Sequence, residues 1–209
     1  MLVTGIKSKP VYAPLRADIR GRYHLMLGLG VGGAALLRVL GEMQAAAPEA
    51  LGAARVLFVP GAAGFGAEEA AGTVARFKEL PLSDVRVFAD SAALLVEFKS
   101  VLGRSLMGTR LYVAGPESFI GRAMQIALQF NLNKDEIRAE ELGAPARRVY
   151  CIHCRATTEE VRTNIVSCVD CKRWLLVRDH YSRRLAAYMG VMADAESPGE
   201  LPPVREVFV

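Results

Sequence analysis

Up to about Leu142, short unbroken apolar runs alternate with stretches in which apolar residues recur every three or four positions. Tyr23–Leu27 is a run of the first kind; it ends at a glycine cluster, and helical spacing then extends from Ala34 to Met43 with Gly41 near its end. The pattern predicts strand, glycine turn, helix. It continues with a strand at Arg55–Val59, the glycine-rich stretch 61–66 and a helix over Ala67–Lys78. A third strand at Val85–Ala89 precedes an amphipathic helix over Asp90–Leu102. A fourth strand, Arg110–Ala114, turns at Gly115-Pro116 into a helix over Ser118–Phe130, and Ile137–Glu141 is placed as a fifth strand. The alanine-rich stretch Ala45–Ala54 reads as helix. Strands alternating with helices imply an α/β fold with a doubly wound parallel sheet. Ligands of such sheets bind at the carboxyl ends of the strands, where Gly28–Gly33 and Ala114–Ser118 fall.

After Leu142 the alternation stops. Gly143-Ala144-Pro145 reads as a linker, and the basic pair Arg147-Arg148 leads into a segment holding every cysteine of the chain. The expected organisation is an N-terminal extension over 1–22, the α/β domain over 23–145, a cysteine domain with a following helix over 146–192, and an acidic, proline-containing tail over 193–209. No apolar stretch approaches the roughly 20 residues of a membrane span, and the first 22 residues lack the apolar core of a secretory signal. A cytoplasmic location with no membrane partner is the expectation. The net charge of +4 is small, but Arg147, Arg148, Arg155, Arg162, Lys172, Arg173, Arg178, Arg183 and Arg184 crowd late in the chain. They form either a solvated surface or one face for an acidic partner.

Cys151, Cys154, Cys168 and Cys171 make two CxxC turns separated by Arg155–Ser167. Two residues between cysteines let one tight turn aim both thiolates at one ion, and two such turns complete a tetrahedral sulfur shell. A reducing compartment argues against disulfides. Rubredoxin-type iron uses the same ligands, but the glycines that commonly follow its turns are replaced by Arg155 and Lys172, and ligand type favours zinc. A closed shell implies a structural ion, so residues 146–192 are expected to be a small four-cysteine zinc-ribbon domain with its following helix, and His153 inside the first turn reads as a surface residue.

Gly28-Leu29-Gly30-Val31-Gly32-Gly33 satisfies GxGxxG between a predicted strand and a predicted helix, the setting in which backbone can approach a pyrophosphate at a helix N-terminus. The acidic residue that holds ribose hydroxyls at the end of the second strand is missing from Val59-Pro60-Gly61-Ala62. Tight helix-to-strand packing without a nucleotide is the competing reading. No activated nucleophile or carboxylate pair is evident, so no catalytic residue is assigned.

Leu111-Tyr112-Val113-Ala114-Gly115-Pro116-Glu117-Ser118-Phe119-Ile120, with Glu136–Glu141 downstream, resembles the NAD(P)H-binding domain of the ferredoxin–NADP reductase superfamily over approximately residues 23–143. That resemblance implies NADPH as cofactor and gives Gly28, Gly30, Gly33, Gly115, Pro116 and Glu117 its binding positions. Ala114 stands where the family usually has cysteine beside the nicotinamide, and no flavin-binding barrel precedes residue 23. With Val149–Cys154, Leu176–Leu185 and Tyr188–Val191, the chain resembles the dimethylamine monooxygenase subunit DmmA family along nearly its whole length. Membership implies a small subunit of a haem-dependent oxidative N-demethylase, with FMN, [2Fe–2S] and haem on partner subunits, namely a haem subunit and a flavin/iron–sulfur reductase subunit.

Arg178-Asp179-His180-Tyr181-Ser182-Arg183-Arg184, with Tyr188 and Met189 at helical spacing, reads either as a solvated helix start or as an anchoring surface beside the metal turns. The leading function is NAD(P)H binding in a split reductase; the alternative is an assembly subunit with a vestigial pocket. A nucleic-acid-binding ribbon is disfavoured because aromatic residues are sparse within the cysteine segment, with only Trp174 just beyond it.

Overall fold

The computed structural model describes residues 8–61, 66–143 and 145–208. The chain divides into two units, residues 12–143 and residues 8–11 with 145–208. The expected turn residues Ala62–Phe65, the linker residue Ala144 and the first seven residues lie outside the described residues.

The larger unit runs β1 (Tyr23–Leu29), α1 (Gly32–Ala46), β2 (Ala54–Val59), α2 (Ala67–Glu79), β3 (Asp84–Val87), α3 (Ser91–Leu102), β4 (Thr109–Gly115), α4 (Glu117–Gln129) and β5 (Ile137–Glu141). All five strands are parallel, in the order β3-β2-β1-β4-β5. The expected α/β doubly wound sheet is present. Alternate residues of each central strand enter opposite cores. Leu25, Leu27, Leu57, Leu111 and Val113 meet Leu94, Phe98 and Ile120 of α3 and α4 on one face. Met26, Val56, Phe58 and Tyr112 meet Leu36, Leu40 and Phe77 of α1 and α2 on the other. Burial on both faces explains why the strands read as unbroken apolar runs.

Each helix has its own stop or start. Asp90 Oδ1 accepts from the Ala93 amide at 2.9 Å and caps α3. α1 ends at Ala46 rather than continuing to Ala54, because Pro48 cannot extend it; Pro48–Ala53 forms a 3₁₀ segment instead.

Residues 12–22, expected to belong to an extension, are a strap bound to this unit. Leu15 is 1% exposed and packs on the α1 side of the sheet. Its amide donates to Glu140 Oε2 at 2.6 Å, and the Ala17 amide donates to Glu42 Oε2 at 2.9 Å. Asp18, 5% exposed, fixes the strap's end. Its amide donates to the Tyr112 hydroxyl, and its carboxylate accepts from Arg20, Arg110 and Arg138 at 2.9 to 3.1 Å. Hydrogen bonds from Arg20, then Arg138 and Arg110, hold that carboxyl well below the usual carboxylate range despite its burial.

The smaller unit is a second sheet, β7-β6-β10-β9-β8, built from β6 (Arg147–Cys151), β7 (Thr157–Val161), β8 (Ile165–Ser167), β9 (Trp174–Ser182) and β10 (Ala187–Met192). The helix expected after the cysteines is absent: residues 174–192 form the β9–β10 hairpin. Leu175 and Val177 are buried at a spacing of two along β9. Tyr188 enters the core and meets Tyr181 edge-on at 5.1 Å, while Met189 is half-buried on the next strand position. Both ends of the described chain join this unit. Ser8 bridges His180 in parallel, and the Asn164 amide donates to Arg205 O at 3.0 Å. Arg147 is 6% exposed, its guanidinium 3.9 Å from the Tyr188 ring centroid and 3.8 Å from that of Phe208, with Nη1 2.9 Å from Asp179 Oδ1. No helix among the described residues is long and apolar enough to cross a membrane.

Asp18→Asn removes the charge that three arginines share, and about 3 kcal/mol of stability of the α/β unit at pH 7 is expected to go with it in urea denaturation. A depressed carboxyl contributes fully above its unfolded pKa of about 4 and loses that contribution as pH falls toward its folded value. The gap between wild type and variant should therefore shrink on acidification below about pH 4. A gap that held constant down to about pH 2 would exclude the ion pairs as its source.

Candidate functional site

Two sites are built from opposite kinds of crowding, of thiols in the smaller unit and of backbone in the larger. Each CxxC is the turn of a hairpin: Cys151–Cys154 joins β6 to β7, and Cys168–Cys171 joins β8 to β9. β10 lies between β6 and β9, which brings both turns to one end of the sheet. The four Sγ atoms lie within 4.8 Å of one another, with Cys151–Cys171 at 3.8 Å and Cys154–Cys168 at 3.5 Å. An ion with metal–thiolate bonds of about 2.3 Å sets tetrahedral sulfurs about 3.8 Å apart, so the cluster fits a four-coordinate metal. Cys151 and Cys168 are buried, whereas Cys154 and Cys171 are half-buried.

The turns share one conformation. Arg155 and Lys172, each following the second cysteine of its pair, take left-handed φ values of 69° and 59°. The missing glycines did not change the turn; they left it strained by roughly 1–2 kcal/mol per residue. That geometry aims the next amide at sulfur. The Arg173 amide, with the surrounding thiols, draws the Cys171 thiol down to about 7. The Ala156 amide favours the Cys154 thiolate, but burial and the neighbouring thiols outweigh it and push Cys154 up to about 12. Four crowded thiols cannot all ionise without a cation among them, so metal uptake must release protons. His153 is exposed on the tip of its turn, as expected of a surface residue.

In the larger unit the strand order reverses between β1 and β4, and Gly28 pairs with Ala114 across that seam. Gly30, just after β1, and Gly115-Pro116, at the end of β4, lie at the switch point, where such sheets bind ligands. Gly30 has φ 52°, and its amide donates to Val59 O at 2.9 Å. Gly28 and Gly33 have packing roles: an added Cβ would meet Phe58 and Leu36 at 2.9 Å from Gly28, and Thr73 at 2.6 Å from Gly33. Gly32 was not singled out from the sequence, yet an added Cβ there would overlap the Ala114 carbonyl of β4. A helix glycine facing a strand end was the available signal. Gly115 has φ 154°, with Leu29 and Phe119 3.1 Å from a Cβ there. Pro116 O accepts from the Phe119 and Ile120 amides, and Glu117 is buried in the first turn of α4. Gly143 lies over the turn, an added Cβ 3.5 Å from Pro116 and 3.6 Å from Val31.

The late basic cluster is not one surface. Arg147 is buried, and Arg148 bonds Glu159 and the Leu185 and Ala186 carbonyls. Arg183 and Arg184 occupy the turn after β9, at the opposite end of that strand from Cys171 and Trp174. They do not sit beside the cysteine turns.

A family model described as the N-terminal domain of dimethylamine monooxygenase subunit DmmA-like proteins matches residues 4–137, and the corresponding C-terminal domain matches residues 148–191. The chain is 33% identical over 123 residues to the haem-dependent oxidative N-demethylase delta subunit of Ectopseudomonas mendocina (strain ymp), covering 59% of this chain and 69% of that protein. Similar solved structures include phthalate dioxygenase reductase, at 17% identity and TM-score 0.45 over 69% of this chain and 45% of that one. Another is the Amycolatopsis cytochrome P450 reductase GcoB, at 15% identity and TM-score 0.42 over 59% of this chain and 38% of that one. The chain thus spans less than half the length of these two reductases.

Gly32→Ala should drive α1 from the β4 backbone and lower the melting temperature by several degrees, equivalent to about 2 kcal/mol or more. Gly41→Ala, exposed in the same helix with nothing within 4 Å of the new methyl, should raise stability by about 0.5–1 kcal/mol. Equal responses in a thermal melt of the two variants would refute the packing assigned to Gly32.

Proposed function

The chain belongs to the dimethylamine monooxygenase subunit DmmA-like family, and on that premise we propose that it is the small subunit of a haem-dependent oxidative N-demethylase acting on dimethylamine. In this reading it supplies the NAD(P)H-binding half of a split reductase and feeds electrons to FMN, [2Fe–2S] and haem on a reductase subunit and a haem subunit. The observation that carries it is the match of both units to the family, joined to a relative named as a subunit of that enzyme.

The switch-point geometry supports the nucleotide role. Gly30, in a left-handed turn before α1, is where backbone would approach a pyrophosphate. Gly28 and Gly33 let α1 lie close on the sheet, which for Gly33 is the role of the third glycine in such fingerprints. Gly115, Pro116 and Glu117 would border the nicotinamide. NAD(P)H supplies hydride, and the protein's part is to bind and orient it, which calls for no acid or base side chain.

A second reading, an assembly subunit with a vestigial pocket, draws on Gly143 packing over Val31 and Pro116 at the crevice. Calorimetric titration of the full chain and of its assembled complex with NADPH and NADH separates the two. Gly30→Asn, which tolerates the left-handed conformation but adds a side chain, should weaken nucleotide binding at least tenfold with the melting temperature little changed. Absence of nucleotide binding in the wild-type complex would select the assembly reading.

For the cysteine cluster we propose a structural zinc ion held by Cys151, Cys154, Cys168 and Cys171. Elemental analysis should find one zinc per chain and no iron. Cys168→Ser should unfold the ribbon and leave the α/β unit folded, since the metal contributes most of the folding energy of so small a core. Stoichiometric iron, or a ribbon that stays folded without metal, would rule the assignment out.

A further inference from the structure

The two metal turns present matching side chains. The residue after the first cysteine of each pair is an exposed aliphatic, Ile152 at 46% and Val169 at 56%. The residue after the second is an exposed cation in a left-handed conformation, Arg155 or Lys172. Arg173 adds a third exposed cation. Among the described residues none of the three is ion-paired, although the Lys172 ammonium reaches Val169 O at 2.7 Å. Asp170 is the carboxylate within the turns, and Asp194 lies beyond Trp174, where the Ala193 amide donates to Trp174 O.

Glycine would relieve both left-handed positions, yet a basic residue occupies each. Strain kept twice at equivalent places, each time with the same charge, is a mark of function rather than of folding. One use for such cations is to offset the charge of −2 on a divalent ion with four thiolates. Amides of Ala156 and Arg173 already face Cys154 and Cys171, and Cys151 and Cys168 are buried, so the sulfur charge is met from within while the cationic side chains project outward.

We infer that the metal end of the ribbon docks on an acidic face of a partner subunit, with Ile152 and Val169 as the apolar centre and Arg155, Lys172 and Arg173 as the cationic rim. An apolar centre ringed by charge is the anatomy of a protein interface, and the rim steers and orients the encounter. The inference rests on the proposed subunit role. It places the interface at the turns, not at Arg183 and Arg184.

The test is co-purification of the tagged full chain with the co-expressed haem and flavin/iron–sulfur subunits, followed by affinity measurement at low and high salt. Arg155→Gly with Lys172→Gly should keep one metal per chain and a melting temperature equal to or above wild type, yet lower the affinity for the partner at least tenfold and flatten its salt dependence. Ile152→Ser with Val169→Ser should weaken binding while leaving the salt dependence unchanged. Metal loss in the double glycine variant would show that the cations serve the thiolates and overturn the inference. Wild-type affinity in both variants would overturn it while leaving the subunit role intact. Failure of the wild type to associate with either subunit would overturn the subunit role and the inference with it. Retention of a random-sequence DNA duplex by wild type but not by the glycine variant would replace the protein partner with nucleic acid.

Discussion

Where β1 and β4 end, two stretches of backbone lie closer than any side chain would allow. The first turn of α1 rests against the Ala114 carbonyl, and Phe58 fills the space beneath Gly28 and Gly33. With α1 seated this low, the loop after β1 and the loop after β4 are held at a set separation across the switch point, whatever they bind. The same seating leaves Leu36, Leu40 and Met43 facing Met26 and Tyr112, so one face of the sheet depends on it for its core. A bulkier residue at the seam would move helix, loop and crevice together. Much of a glycine-rich fingerprint can therefore arise from packing, and of Gly28, Gly30, Gly32 and Gly33 only Gly30 has a left-handed φ.

The ribbon is organised by another constraint. Its core contains few large apolar side chains, and much of what fills its centre is sulfur or a stacked cation. Arg147 between two aromatic rings does the work that a leucine would do in a larger domain, while Asp179 answers its charge. Thiols crowded by two hairpin turns face mutual repulsion once ionised, and a cation among them would convert that repulsion into cohesion.

The larger unit was readable because each central strand is buried on both faces and each helix on one, so burial alone wrote the periodicities. The cysteine spacing was readable for a similar reason, since each CxxC lets one tight turn aim two thiols at a common point, and two such turns gather all four. The hairpin β9–β10 was not. Tyr188 and Met189 seemed to fit helical spacing, but β10 is held between β9, where Tyr188 pairs with the nearby Tyr181, and β6, whose Val149 and Tyr150 lie almost forty positions earlier and outside any local window. The strap was missed likewise: Asp18 acquires its meaning from Arg110 and Arg138, which are distant in sequence. Gly32 is invisible to a motif because its constraint is a carbonyl on another strand.

Ser8 hydrogen-bonds to Tyr181 across 173 positions of sequence, and the segment near Arg205 binds Asn164. On the ribosome, where chains fold from the N-terminal side as they emerge, residues 12–143 can complete their sheet while Ser8 still has no strand to join. The ribbon closes only when β9 and then residues 205–208 have been made. Order of synthesis thus divides the molecule as its packing does, and a chain released early would carry a finished α/β unit with an open ribbon whose strand edges are exposed to other chains.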